Sequence, residues 1–216
     1  LRLPAPPLLL VTDRRQARKV LDVVVAAALG AGCRWISVRE KDLPEDEQVL
    51  LARRLLLMTR KAGARLLLHG EAALAERAGI DGIHLRAGAD SAAARALLGP
   101  EKLIGVSIHT VIDAEALDPS SVDYALAGPA FETPSKPGYG PEIGRKGLND
   151  IARAAPVPVL AIGGINAGRI AELVAAGAAG VAVMGGVMRA ADPAREVGGL
   201  IASLQGSLAI SAPDRC

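Results

Sequence analysis

Eight short runs of Val, Ile and Leu recur along this chain, each followed by a longer stretch with apolar residues at helical spacing. No other feature restricts the fold as tightly. The runs occupy residues 8–12, 35–39, 65–69, 82–85, 103–107, 124–128, 159–163 and 180–184. The stretches between them, such as residues 45–62 and 167–176, carry charges on the face opposite the apolar one. Glycines punctuate the passage from helix to next strand, as in "LGAG", "KAG", "ERAG" and "AAGAAG". Strict alternation implies parallel strands joined by right-handed crossovers. Runs that are apolar throughout fit a sheet covered on both faces. Eight such units in 216 residues predict an α/β fold, a single (β/α)8 TIM barrel over residues 8–205, with flexible tails at 1–7 and 206–216. An open doubly wound sheet is the alternative.

Composition excludes several function classes. Aromatic residues make up only 2% of the chain, so the core must be built from Leu, Val, Ile and Ala. The net charge is +2 with scattered basic residues, which leaves no electrostatic footprint for nucleic acid. Two cysteines do not suggest a disulfide framework, and Cys33 reads as a small buried hydrophobe. No apolar stretch approaches the ~18 residues of a membrane span, and "LRLPAPP" lacks the order of a signal peptide. The expectation is a soluble cytoplasmic protein with no nucleic-acid or membrane partner. Homo-oligomerisation stays open.

In a barrel of this kind chemistry sits at the C-terminal ends of the strands. "AIGGI" ends strand seven and "VMGGV" ends strand eight, which puts Gly163, Gly164, Gly185 and Gly186 where their amides can hold a phosphate. The same glycines could simply turn tight corners. In "SVREKD", Ser37, Arg39 and Lys41 share one face by strand parity. They make a cationic site for a carboxylate or phosphate, or else a solvated charge run paired with Glu40 and Asp42. The long loop "GPAFETPSKPGYGP" after strand six offers Thr133, Ser135 and Lys136 to a second anion or a polar ring. All three histidines of the chain, His69, His84 and His109, close apolar runs. An imidazole can take up and return a proton near neutral pH. His69 and His109 are the catalytic candidates, and His84 reads as a structural hydrogen-bonding residue. A zinc site on the three histidines is the other reading. No pair of carboxylates accompanies them, so no resident metal is expected.

The motifs "LVTDR", "VREKD", "DGIHL", "IGVSIHT", "FETPSKPG" and "AIGGI", in order over residues 8–190, resemble the thiamine phosphate synthase superfamily. That resemblance implies a barrel enzyme of thiamine biosynthesis acting on a small-molecule thiazole phosphate. One branch, the synthases, joins a pyrimidine diphosphate to a thiazole phosphate. In that branch, residues matching Arg39, Lys41 and Lys136 hold diphosphate. Magnesium is held by an acid in an Asn-Asp pair closing strand three and by another after strand four. Here the pair is His69 and Gly70, the second acid is matched by Ala89 with Asp90 one step on, and a strand-two glutamine is matched by Ser37. The other branch, the thiazole tautomerases, is similar to this chain in the glycine of that pair, in "FET", and in a histidine matching His109. The resemblance therefore implies a thiazole tautomerase, an isomerase. His109 is its acid/base and His69 a helper; Arg39 and Lys41 face the carboxylate or line the pocket, and no cofactor is needed. The alternatives are a magnesium-dependent thiamine phosphate synthase and a non-catalytic thiazole- or thiamine-phosphate-binding protein.

Overall fold

A computed structural model describes residues 3–133 and 141–211. The strands are β1 (Leu8–Val11), β2 (Trp35–Val38), β3 (Arg65–His69), β4 (Gly82–Leu85), β5 (Leu103–Ile108), β6 (Tyr124–Ala127), β7 (Val159–Ile162) and β8 (Gly180–Val183). Between them lie α1 (Leu21–Gly30), α2 (Glu45–Lys61), α3 (Ala72–Ala78), α4 (Ser91–Leu98), α5 (Val111–Glu115), α6 (Gly144–Ala154) and α7 (Ile170–Ala175), the last entered through a 3₁₀ turn at Ala167–Arg169. After β8 come a four-residue helix, α8 (Gly185–Met188), and then α9 (Pro193–Ser211). Each strand pairs in parallel with the next, and β1 pairs with β8, so the sheet closes. The fold is a (β/α)8 barrel. α9 continues past residue 205, where the sequence suggested that a tail begins. Among the described residues no helix is long and apolar enough to cross a membrane.

Closure follows from the strand sequences. Because every residue of most strands is apolar, both faces can be buried. One parity points into the barrel, where Leu9, Val11, Trp35, Leu67, Leu103, Tyr124, Leu126, Leu160 and Ala182 form an inner cluster. The other parity, with Leu10, Ile36, Leu66, Leu68, Ile83 and Ile104 among it, packs under the helices in a larger cluster. The only Trp and one of the two Tyr residues meet inside, with Trp35 and Tyr124 edge to face at 4.6 Å and 71°. Room for them comes from glycine. Gly105 pairs in register with Tyr124, and a Cβ on Gly105 would lie 2.1 Å from the Tyr124 ring.

Candidate active site

The inner face changes character toward the strand ends. Below are leucines and the Trp35–Tyr124 pair; above are Ser37, His69, His84 and Ser107. His69 and His84 pair across β3 and β4, their rings tilted with centroids 4.6 Å apart. His84 is fully buried. Its Nδ1 lies 3.1 Å from the Tyr124 hydroxyl and its Nε2 2.9 Å from Ser107 Oγ. Burial, followed by the charge of Lys41, pushes its pKa down to about 3, so the ring is neutral. This is a structural histidine with both nitrogens engaged. The three-histidine zinc reading therefore fails, and no group of three His, Cys, Asp or Glu among the described residues could hold a metal.

Above this layer opens a pocket lined by Arg39, His69, His109, Thr133, Gly163, Gly164, Gly185 and Gly186, together with Ser107, Gly128, Arg189 and apolar residues such as Leu126 and Ile162. The barrel mouth thus gathers these eight of the sequence candidates. Ser37 is buried beneath the pocket, and among the described residues its Oγ has no hydrogen-bond partner. Lys41 is exposed outside the lining. Ser135 and Lys136 lie outside the described residues.

Two glycines of the cup are required by geometry. Gly163 and Gly164 have φ of 102° and 64°, in the region L side chains avoid. A Cβ at Gly164 would also sit 2.5 Å from the Glu132 carbonyl oxygen. They let the β7 loop press against the β6 loop, where Ala130 N donates to Ile162 O at 2.7 Å and Phe131 N to Gly163 O at 3.2 Å. Gly185 and Gly186 open α8, so their amides have no helical carbonyl four residues back. The corner-turning role and the amide-donor role coexist in one loop pair.

His109 follows β5, just ahead of a capping box in which Thr110 Oγ1 accepts from Asp113 N. Asp113 in turn accepts from His109 N and Thr110 N, both at 2.9 Å. Burial raises the Asp113 pKa, but hydrogen bonds from His109 and Thr110 outweigh it and leave the group below its ordinary value. The imidazole is fixed separately. Its Nδ1 donates to Gly128 O at 2.6 Å, since a carbonyl can only accept. In the neutral ring Nε2 is then the acceptor.

The charges of "SVREKD" separate onto two sides. Glu40, 2% exposed, accepts from Thr12 Oγ1 at 2.6 Å and from Arg14 N at 3.1 and 3.0 Å. The Arg14 guanidinium forks onto Asp42 with two contacts of 2.8 Å and reaches Glu40 at 3.2 Å. Both acids are thus bound to the loop after β1 and do not pair with Arg39 or Lys41. Partial burial, then the charges of Arg39 and Arg86, hold the Lys41 ammonium below its ordinary range.

Sequence reasoning missed Arg86 and Arg189. Arg86 follows β4 two residues after His84, so the parity that linked Arg39 to Lys41 would have found it. Arg189 ends α8, an element too short and too glycine-rich to announce itself. Its guanidinium donates to Gln16 Oε1, and Gln16 Nε2 donates to Asp13 Oδ2 at 2.6 Å.

The donor set does not fit magnesium, which prefers oxygen ligands and usually one or two carboxylates. Gly70 and Ala89 stand where the acids are expected. Asp90 caps α4, accepting from Ala93 N at 2.9 Å.

The closed barrel, with glycine loops following β7 and β8 at its mouth, defines a (β/α)8 protein. Residues 8–187 match the family described as "Thiamine monophosphate synthase". The chain belongs to that family. It is 42% identical over 187 residues to thiamine-phosphate synthase of Roseiflexus sp. (strain RS-1), covering 85% of this chain and 78% of that protein. It is 38% identical over 200 residues to thiamine-phosphate synthase of Salinispora arenicola, covering 90% and 95% of the two chains. The solved structure of thiamine phosphate pyrophosphorylase from Pyrococcus furiosus superposes with a TM-score of 0.83 at 29% identity, over 93% of this chain and 96% of that one.

These relatives overturn the expected thiazole tautomerase. They are named as synthases, which are transferases and not isomerases. Gly70, the "FET" of the long loop and His109 had pointed to the tautomerase branch. They occur here in a chain that is similar to named synthases over most of its length.

Proposed function

We propose that this protein is a thiamine-phosphate synthase, joining a pyrimidine diphosphate to a thiazole phosphate with diphosphate as the leaving group. One observation carries the reading: a single barrel mouth brings a glycine cup after β7 and β8 together with a cationic side at Arg39. The glycine cup after β7 and β8 offers neutral amides, suited to a phosphate that stays on the product. The cationic side at Arg39 suits a charge that must be gripped as it leaves. Between them, His69, Ser107 and His109 form a polar rim on which an aromatic ring can be oriented, and Thr133 approaches from the long loop. His109, its ring orientation fixed by Nδ1 donating to Gly128 O, lines the pocket and positions a substrate. Among the described residues the donor set does not fit a metal. The buried free Cys33 accords with a cytoplasmic setting.

The test is a coupling assay with the pyrimidine diphosphate and thiazole phosphate together, run with and without magnesium. Formation of thiamine phosphate with release of inorganic diphosphate is expected. Absence of product under both conditions, from protein that binds thiamine phosphate, overturns the proposal in favour of a binding protein.

A further inference from the structure

The donor set that does not fit magnesium stands beside a cluster of positive charge. β2 and β3 are in register at Val38 and Leu68, and β3 and β4 at His69 and His84. One residue on, Arg39 stands beside the His69–His84 pair. Two residues further, Lys41 on one side and Arg86 on the other continue the same parity past the strand ends. Lys41 responds to the charges of both arginines, and His84 below responds to Lys41.

Among the described residues none of the three side chains forms an ion pair or a hydrogen bond. The carboxylates around them are committed elsewhere. Glu40 and Asp42 are taken by Arg14, Asp13 accepts from Arg15 N and Gln16, and Asp90 caps α4. Glu71, next to Gly70, pairs with none of them. Three like charges held together in this way call for an anion of several charges. Arginine offers a planar fork for phosphate oxygens, and lysine a point charge.

We propose that Arg39, Lys41 and Arg86 form a diphosphate site that needs no divalent cation, Arg86 supplying positive charge where relatives are expected to place a metal. The identity of the anion rests on the coupling reading above; the cation-only character of the site does not.

The test is calorimetric titration of the full chain with inorganic diphosphate at low salt, in EDTA and then in magnesium. Binding in EDTA is expected, with magnesium leaving the affinity unchanged or lower. Arg86→Gln should weaken metal-free binding on the order of tenfold, as loss of a hydrogen bond to a charged group does. Arg86→Lys should recover part of that loss, and rising salt should weaken the parent. Arg86 is exposed, and an unchanged melting temperature will show that the variants are folded. Binding seen only with magnesium, or an Arg86→Gln protein that titrates like the parent, overturns the proposal. The titration reads no turnover. Metal-free diphosphate binding without coupling would sink the synthase reading and leave this one; coupling and diphosphate binding that both require magnesium would do the reverse.

Discussion

A neutral imidazole sealed between Tyr124 and Ser107 makes His84 a pH-dependent element of stability. Its pKa is about 3 in the fold against 6.5 for the free side chain. Between those values the unfolded chain binds a proton that the folded chain refuses, so stability rises with pH there. The contribution is complete above about pH 6.5 and is lost progressively as the pH falls toward 3. Melting temperatures measured from pH 7 to pH 4 should fall, and a His84→Gln variant should show a shallower fall over the same range. Equal slopes for the two proteins would mean that other groups carry the acid sensitivity. That His84 is structural was legible from an imidazole within an apolar run. Its partners were not, because Tyr124 is 40 residues away and only barrel closure brings it near.

The elements were legible where side chains dictate them. The runs of branched apolar residues mark β3 and β4 at the residues expected, and the other strands to within a residue at their ends. α8 escaped because four residues opening on two glycines carry no helical periodicity, and Arg189 escaped with it. Glycine predictions belong at this scale. Gly105→Ala would drive a methyl into the Tyr124 ring, 2.1 Å away at its ideal position, and should destabilise the fold by roughly 1–3 kcal/mol in urea titration. Trimming the ring in Gly105→Ala/Tyr124→Leu should make the pair of changes clearly non-additive. Strict additivity would mean that the ring is not what Gly105 accommodates. The cup glycines divide differently. Gly164→Ala meets both an unfavourable φ of 64° and the Glu132 carbonyl, so stability and phosphate binding should fall together. A Cβ at Gly186 meets nothing nearer than 3.8 Å, so Gly186→Ala should keep its stability and lose affinity for thiamine phosphate. Retained affinity in the folded Gly186→Ala protein would remove that amide from the site.

For the whole molecule, the two proposed anion sites span several strands of one closed sheet, so filling them should stabilise the barrel as a unit. A ligand at about 100 times its Kd adds about 2.7 kcal/mol. In a domain of this size that raises the melting temperature by roughly 5–10 °C. Thiamine phosphate and inorganic diphosphate added together should give a larger shift than either alone, read by differential scanning calorimetry. A shift from one with none from the other would leave a single working site. The barrel and most of its mouth were readable from the sequence because strand ends and parity are local properties. The choice between branches was not. It had been placed on Gly70, "FET" and His109, three local features, whereas similarity along the whole chain points to the synthases.

The opposed destinations of the four charges after β2 have a consequence for how this segment can change. Arg39 lines the mouth, with Lys41 on the same parity beyond it, while Glu40 and Asp42 are bound to Arg14, so polarity there depends on counting by twos. A single inserted residue just before Arg39 would exchange the pairs. It would turn carboxylates toward the ligand and strand Arg14 among cations, inverting the sign of the entrance without altering any side chain. Substitution is therefore a milder change here than insertion, and length should be the more tightly held property of this stretch.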